Sequence, residues 1–172
     1  AFTEALAFIF QSRDLYLLGL SGQSKDQMKL NILDASWTLM EIMGVGLVDI
    51  QTWQWLYSHP DATSEELKNA VIQISKDVWN KYFAAVFGIR DQPILAIYSH
   101  MISNPLYLAA YSYGQIIEFQ IEDHLRGKNF SGEIDRMYKQ GRLIPQTWMH
   151  GAVGDKISVD PILKQLDEVL VK

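Results

Sequence analysis

The chain has 172 residues, 48% of them apolar and 12% aromatic, and a formal net charge of −5 at pH 7. This length suits one compact domain or a large piece of one, and the apolar content argues against intrinsic disorder. An acidic balance without a basic patch argues against nucleic-acid binding. No cysteine is present, which excludes disulfides and thiolate zinc sites. No apolar run reaches the roughly 20 residues of a membrane span.

The first third of the chain shows apolar residues at helical spacing, which predicts three helices. The first is expected from about Thr3, as its cap, to Leu18, with a stop at Gly19 and Ser21-Gly22. The second is expected from Ser24 or Lys25 to Met43, with core positions at Leu30, Leu33, Trp37 and Met40. Gly44-Val45-Gly46 is expected to break or bend it, and a further helix follows over 48–57, ending at His59-Pro60.

The remainder of the chain continues the helical pattern. Thr63-Ser64-Glu65-Glu66 is a capping box that opens a long helix through Val86, stopped by Gly88. Asp91-Gln92-Pro93 leads into a short helix ending near Met101, and Asn104-Pro105 then predicts a helix start that runs to Leu125. Shorter helices are expected over 131–138, capped by Ser131, over 145–150, and from Asp160-Pro161 onward. The chain is therefore predicted to be all-α, a single helical domain over 1–172 with seven to nine helices.

Glu4 is a carboxylate in a stretch, residues 1–10, that is otherwise almost entirely apolar. A helix that is apolar on every side is typically buried, and a buried carboxylate needs a hydrogen bond, an ion pair or a bound cation. Two interpretations remain open. Glu4 is either a partly solvated residue in the first turn of a helix capped by Thr3, or a metal ligand whose partner ligands lie outside this chain.

Motifs that define common catalytic sites are absent: the sequence has no H-E-x-x-H, no P-loop, no G-x-G-x-x-G and no G-x-S-x-G. Of the four histidines, His100 stands out because Tyr107 and Tyr111 follow it. Tyr107, Tyr111, Gly114 and Glu118 have the spacing of one helix face, which offers several polar groups to one ligand. The alternative is that Tyr107 and Tyr111 are tyrosines at the rim of the core with hydrated hydroxyls. Glu118, Glu122, Asp123 and His124 are expected to form a solvated face.

The string His100-x6-Tyr107-x3-Tyr111, followed by 115–125, resembles the late part of the angiotensin-converting-enzyme and oligopeptidase group of zinc peptidases. These gluzincins are mostly helical and have a deep cleft. Residues 47–55, the helix from Thr63 to Phe87 and residues 144–166 are also similar, in the same order. The resemblance implies that Glu4 is the third zinc ligand, that His100 contacts the substrate backbone, that Tyr111 donates to the oxyanion and that Tyr107 lines the cleft.

Several positions depart from this pattern. The H-E-x-x-H helix is missing, so two zinc ligands and the general base are expected upstream of Ala1. Phe8 replaces an Asp one turn after the third ligand. Tyr98 replaces the Lys that grips a substrate C-terminus, and Ala110 replaces an Arg linked to chloride. Dipeptide release and chloride activation are therefore not implied, and an endopeptidase or oligopeptidase specificity fits equally well.

We therefore expect the C-terminal portion of a zinc metallopeptidase that acts on peptides, with the upstream part of the same polypeptide as its structural partner. Zinc is expected in the longer parent protein, whereas these 172 residues alone are expected to bind it weakly and to be inactive. The alternative is a non-catalytic helical module that kept the fold for binding or interaction.

Overall fold

The computed structural model describes residues 2–20 and 24–170, without the side chains of Asp14, Tyr16 and Leu17. The α-helices of this part are α1 (Phe2–Leu17), α2 (Lys25–Ser58), α3 (Ser64–Tyr82), α4 (Ala84–Phe87), α5 (His100–Ser103), α6 (Leu108–Leu125), α7 (Phe130–Tyr138), α8 (Pro145–Val153) and α9 (Asp160–Leu170). A single 3-10 turn, Ile94–Ala96, precedes α5. The described residues contain no strand, so the all-α prediction is confirmed. None of the helices in these ranges combines the length and apolarity needed to cross a bilayer.

Local sequence signals set several helix starts correctly. Thr63 is the N-cap of α3: its side chain accepts from the Glu66 backbone N–H, and the Glu66 carboxylate accepts from the Thr63 N–H at 2.8 Å. Pro145 occupies the first turn of α8, where its missing N–H costs nothing. Asp160 begins α9, and its backbone N–H donates to the Ser158 hydroxyl at 3.0 Å.

The predicted interruption of α2 at Gly44-Val45-Gly46 is wrong, because α2 is one helix from Lys25 to Ser58. Gly44 serves close packing instead. A Cβ on Gly44 would lie 2.7 Å from two ring carbons of Phe83, so only a hydrogen fits there. A Cβ on Gly46 would meet Ala109 and Leu108 at 3.7 Å and beyond, which is ordinary contact. The cost of glycine in a helix is thus offset by the approach of Phe83.

The predicted helix start at Asn104-Pro105 is also wrong. Asn104 caps the C-terminus of α5, and α6 begins only at Leu108. Between them Leu106 adopts a left-handed conformation with φ 63. Its N–H donates to the Asp49 carboxylate at 2.8 Å, and this long-range bond holds the turn that the local sequence does not predict.

Three smaller boundary predictions differ from the structure. Asn129, not Ser131, caps α7, since its side-chain oxygen accepts from the Gly132 N–H. Thr3 lies inside α1 rather than at its cap, and the long third helix is interrupted at Phe83. Gly19 has φ 67 and follows α1 as expected, whereas Ser21-Gly22 lie outside the described residues.

The chain divides into two compact units, one of residues 1–38 and 113–172 and the other of residues 39–112. The first unit has its core where α1, α6, α7 and α8 meet. Its buried residues are Ala5, Ile9, Ile117, Ile121, Ile134, Met137, Trp148, Met149 and Ala152. The buried Gln120 side chain donates to the Lys156 carbonyl and accepts from the Ser158 N–H, which anchors the segment before α9.

The second unit packs the C-terminal half of α2 against α3, α4 and the start of α6. Its buried residues are Val45, Val48, Val78, Trp79, Phe83, Ala84, Leu95 and Leu108, with Tyr111 packed at the edge. The indole N–H of Trp79 donates to the Ile89 carbonyl at 2.7 Å. Asn80 exchanges two hydrogen bonds with Asp91, which has φ 60, and together these bonds fix the loop after α4.

The predicted core positions on α2 are wrong. Leu30, Leu33, Trp37 and Met40 are between 37% and 59% exposed. Their helical spacing correctly predicted the helix, but burial depends on what packs against it. The buried positions of α2 are instead Ser36, Leu39, Gly44, Val45, Gly46, Val48, Asp49 and Thr52.

Candidate functional site

Glu4 lies in the first turn of α1 and is half-buried. Its neighbour Ala5 and the residue one turn on, Ile9, are fully packed in the core, whereas Thr3 and Ala7 are exposed. The helix therefore has one core face rather than being buried on all sides. Glu4 sits at the border of that face, which fits a carboxylate that reaches both protein and solvent.

His100, Tyr107 and Tyr111 lie together, and we call them the His–Tyr cluster. The ring centroids of His100 and Tyr111 are 6.2 Å apart at an interplanar angle of 78°, and those of Tyr107 and Tyr111 are 5.3 Å apart at 87°. Both contacts are edge-to-face, the geometry that aromatic quadrupoles favour. The sequence placed these three residues at one site, and the structure brings their rings into contact.

The local structure that presents the cluster differs from the predicted one. His100 begins α5 rather than ending a helix, and Tyr107 precedes α6 rather than lying on it. Only Tyr111 lies on α6 itself. The bond from Leu106 to Asp49 fixes the turn immediately before Tyr107, so a buried carboxylate on α2 helps to position the first tyrosine.

The cluster is partly open to solvent and contains one unsatisfied polar atom. Tyr107 is 40% exposed, whereas His100 and Tyr111 are half-buried. The Nδ1 atom of His100 is buried and has no hydrogen-bond partner among the described residues. A buried nitrogen without a partner costs about 1–3 kcal/mol, so it calls for an explanation beyond stability.

Tyr98 is a further ring beside His100, with centroids 5.3 Å apart. From the sequence, Tyr98 was interpreted only as a replacement for a Lys that binds the substrate C-terminus. The structure makes it part of the wall next to His100, and at 37% exposure its ring is also accessible. An aromatic wall favours an apolar or aromatic ligand group where a Lys would favour a carboxylate.

The candidate zinc ligand and the His–Tyr cluster belong to different units. Glu4 is in the first unit, and the His–Tyr cluster is in the second. Their predicted sharing of one cleft stays a prediction.

Zinc requires three or four ligands drawn from His, Cys, Asp and Glu. Within residues 2–20 and 24–170, no three such side chains are grouped so that they could hold a metal ion. The role of Glu4 as a zinc ligand stays a prediction.

The predicted solvated face of Glu118, Glu122, Asp123 and His124 is wrong for Glu118, whereas the Asp123 side chain is 40% exposed. The Glu118 side chain is only 7% exposed, and burial raises its pKa to about 8, with repulsion from Glu122 adding to the shift. A hydrogen bond from Ser12 on α1 acts in the opposite direction. Burial also raises the pKa of Glu122. Glu118 lines a polar cavity of about 240 Å³ together with Ser12, Asn31, Asp34 and Gln115.

His124 belongs to a network that ties α6, α7 and α8 together. Its Nε2 lies 2.9 Å from a Glu133 carboxylate oxygen, and the same oxygen accepts from Arg136 at 2.8 Å. Arg136 also donates to the carbonyls of Gly151, at 2.7 Å, and Ala152. These groups satisfy one another, which assigns them a structural role.

Two polar residues of the second unit were missed at the sequence level. Asp49 is 1% exposed and Thr52 is 9% exposed, one turn apart on α2. The signal that singled out Glu4 was available for Asp49 too, since it stands alone among Gly44–Ile50, a stretch without another charge. Thr52 carries no such signal, because threonine is common on partly exposed helix faces.

Comparisons with known proteins do not assign the chain to a family. No family model matches its sequence, and no curated protein or solved structure shows significant similarity to it. The resemblance to zinc peptidases therefore rests on the residues quoted above.

Proposed function

We propose that this chain is the C-terminal helical part of a gluzincin-type zinc metallopeptidase that hydrolyses peptide bonds in peptides. The observation that carries the proposal is the His–Tyr cluster. Its three rings are in edge-to-face contact, one is 40% exposed, and a histidine nitrogen is left without a partner. An imidazole and phenols together at an accessible surface supply hydrogen bonds to both the amide and the carbonyl of a peptide.

The three residues of the His–Tyr cluster have the separate roles that the resemblance implies. The Tyr111 hydroxyl donates to the oxygen of the scissile carbonyl as negative charge develops on it. His100 hydrogen-bonds the substrate backbone nearby, and Tyr107 lines the cleft. Such donors stabilise the transition state most when they are already in place, and the packing of Tyr111 against the core serves that purpose.

The metal chemistry depends on groups from outside these 172 residues. Bound zinc would supply Lewis acidity and an activated water. Glu4 would be its third ligand, with the other ligands and the general base carried by an H-E-x-x-H helix of the parent polypeptide.

An exposed apolar stripe on α2 supports the idea that more polypeptide packs here. The stripe consists of Leu30, Leu33, Trp37, Met40 and Met43, each at least 37% exposed. A set of large apolar side chains at helical spacing normally faces another element, and extended apolar patches on a surface usually mark an interaction site. The proposed occupant is the upstream part of the same chain.

Replacement of Tyr111 in the full-length parent protein tests the proposal. Tyr111→Phe removes one hydroxyl and keeps the ring, so the edge-to-face contacts with His100 and Tyr107 should persist. We expect kcat to fall by roughly 10²–10³ with little change in KM, as for the loss of one oxyanion donor. Steady-state kinetics on a fluorogenic peptide measures both constants.

Tyr113→Phe is the matched control, because it makes the same change two residues away on α6 at a position 52% exposed. It should leave both constants unchanged. His100→Ala should lower kcat/KM, and Glu4→Gln should lower zinc affinity with partial rescue by excess zinc. An active parent enzyme indifferent to Tyr111→Phe would retire the oxyanion role and leave Tyr107 as the next candidate.

The non-catalytic alternative is distinguished by sequence rather than by kinetics. An H-E-x-x-H motif on a helix encoded before Ala1 supports the peptidase. Its absence from the complete coding sequence would favour a helical module that binds without hydrolysis.

A further inference from the structure

The second unit contains a cavity of about 600 Å³ that the peptidase proposal does not use. It lies between the C-terminal half of α2, the start of α3 and the segment around the 3-10 turn. Apolar side chains form most of its wall, among them Trp53, Leu56, Val71, Ile97 and Met101. Its size is within the range of about 300–1,000 Å³ that is typical of small-molecule pockets.

Two polar side chains interrupt this apolar wall. Asp49 and Thr52 both line the cavity, and their i, i+3 spacing puts them on one face of α2. The Thr52 hydroxyl oxygen is buried and has no hydrogen-bond partner among the described residues. Thr52 is more than nine-tenths buried, so solvent does not readily satisfy its hydroxyl.

Asp49 retains hydrogen-bonding capacity. One of its carboxylate oxygens accepts from the Leu106 N–H at 2.8 Å, but a carboxylate offers about four lone-pair positions. Burial raises the pKa of Asp49, whereas the hydrogen bond from the Leu106 N–H acts in the opposite direction. Lys68 is the other ionisable residue of the lining; its side chain is 65% exposed and lies 4.0 Å from Glu65.

We propose that this cavity binds a small molecule with an aryl-alkyl body and an amine or hydroxyl head group, which donates hydrogen bonds to Asp49 and Thr52. The apolar wall accepts the body of the ligand. The acceptor pair on α2 selects an amine or a hydroxyl and disfavours a carboxylate, which would face the Asp49 carboxylate across a low-dielectric site. The site uses none of the three rings of the His–Tyr cluster, although Asp49 also accepts the hydrogen bond from Leu106 that fixes the turn before Tyr107. Its test does not use peptidase activity.

Three probes with the same ring and chain length test this selectivity on the 172-residue chain: phenethylamine, phenethyl alcohol and phenylacetate. The readout is the indole N–H resonance of Trp53, identified by its loss in Trp53→Phe. We expect a saturable shift with the amine and the alcohol, and binding of phenylacetate at least about tenfold weaker.

Three variants separate binding at this site from non-specific contact. Thr52→Val keeps the shape and removes the hydroxyl, and it should weaken the amine and the alcohol by about threefold to tenfold. Thr38→Val makes the same change on α2 outside the cavity lining and should have no effect. Ala96→Phe fills the cavity and should abolish the shift.

Three results would overturn the proposal: no saturable shift with the amine and the alcohol, phenylacetate bound as tightly as they are, or Thr52→Val indistinguishable from the unchanged chain. Because Thr52→Val is nearly isosteric, the test does not depend on whether the bulkier Ala96→Phe variant folds.

Discussion

Glu118 carries a pKa of about 8 because its side chain is buried, and the charge of Glu122 one turn on adds to the shift. A carboxyl whose pKa is raised on folding takes up a proton when the chain folds. Its cost to stability is therefore absent below pH 4.5, the ordinary value, and grows as the pH rises from 4.5 towards 8. Glu118→Gln removes the charge and keeps an acceptor for the Ser12 hydroxyl.

We expect Glu118→Gln to raise the urea midpoint at pH 8 and to leave it nearly unchanged at pH 4. Glu41→Gln is the control, since Glu41 is exposed on α2. A midpoint gain of the same size at both pH values would show that the ionised form of Glu118 is not what destabilises the fold.

The pKa of Glu133 is shifted in the opposite direction from that of Glu118. Hydrogen bonds from Arg136 and then from His124 hold its pKa at about 2. A lowered pKa contributes stability above the ordinary value of 4.5, and that contribution is lost as the pH falls from 4.5 to about 2.

Glu133→Gln should therefore lower the thermal midpoint at pH 7, and the difference from the unchanged chain should shrink between pH 4.5 and pH 2. Thermal unfolding followed by circular dichroism measures both. Glu65→Gln, at a 4.0 Å pair between exposed side chains, should have little effect at any pH. A Glu133→Gln deficit that persists at pH 2 would contradict the assignment to charge.

Residue types alone did not predict which of these carboxylates are buried and which are ion-paired. Glu4, Glu118, Glu122 and Glu133 all follow apolar or mixed helical patterns, yet Glu118 is buried and Glu133 is ion-paired. The partners that decide their states, Ser12 and Arg136 among them, are set by tertiary packing. The clustering of His100 with Tyr107 and Tyr111 was predictable because these residues are close in sequence.

At the scale of elements, replacing the two glycines of α2 by alanine is expected to have opposite effects on the free energy of unfolding. Gly44→Ala places a methyl group 2.7 Å from the Phe83 ring, which is buried and stacked on Trp79. Overpacking of this kind costs about 1–3 kcal/mol, and the gain of about 1 kcal/mol in helix propensity only partly offsets it. We expect a lower free energy of unfolding for Gly44→Ala.

Gly46→Ala is the matched comparison on the same helix. Its new methyl group would meet its nearest neighbour at 3.7 Å, so the helix-propensity gain should dominate and the variant should be neutral or more stable by up to about 1 kcal/mol. Urea unfolding of both variants measures the difference. Equal effects of the two substitutions would show that close packing on Phe83 does not explain Gly44.

The difference between local and long-range interactions explains which elements were predictable from the sequence. The capping box at Thr63 and Glu66 lies within four residues, so the sequence is sufficient to place the start of α3. Asn104-Pro105 carries an equally clear local signal, but a hydrogen bond from Leu106 to Asp49, 57 residues earlier, stabilises a turn instead. The predicted interruption of α2 at Gly44 was wrong for the same reason. The residue that packs against Gly44, Phe83, is distant in sequence.

At the scale of the whole molecule, the described residues include all three cleft residues of the proposed peptidase but only one of its proposed zinc ligands. The His–Tyr cluster is complete within one unit, whereas the metal site would have only Glu4 from the described part of the chain. The exposed stripe on α2 is consistent with the same division. If the remaining ligands lie elsewhere in the parent polypeptide, catalysis needs both parts.

This division predicts that the 172-residue chain alone binds zinc weakly and hydrolyses peptides no faster than background, with or without added zinc. One carboxylate does not provide the three or four ligands of a stable zinc site. Isothermal titration calorimetry on the isolated chain measures the affinity, with Glu4→Gln as the variant and Glu41→Gln as its matched control. A single zinc ion bound tightly to the isolated chain and lost in Glu4→Gln, but kept in Glu41→Gln, would show that the ligands are within these residues and that the proposed upstream ligands are unnecessary.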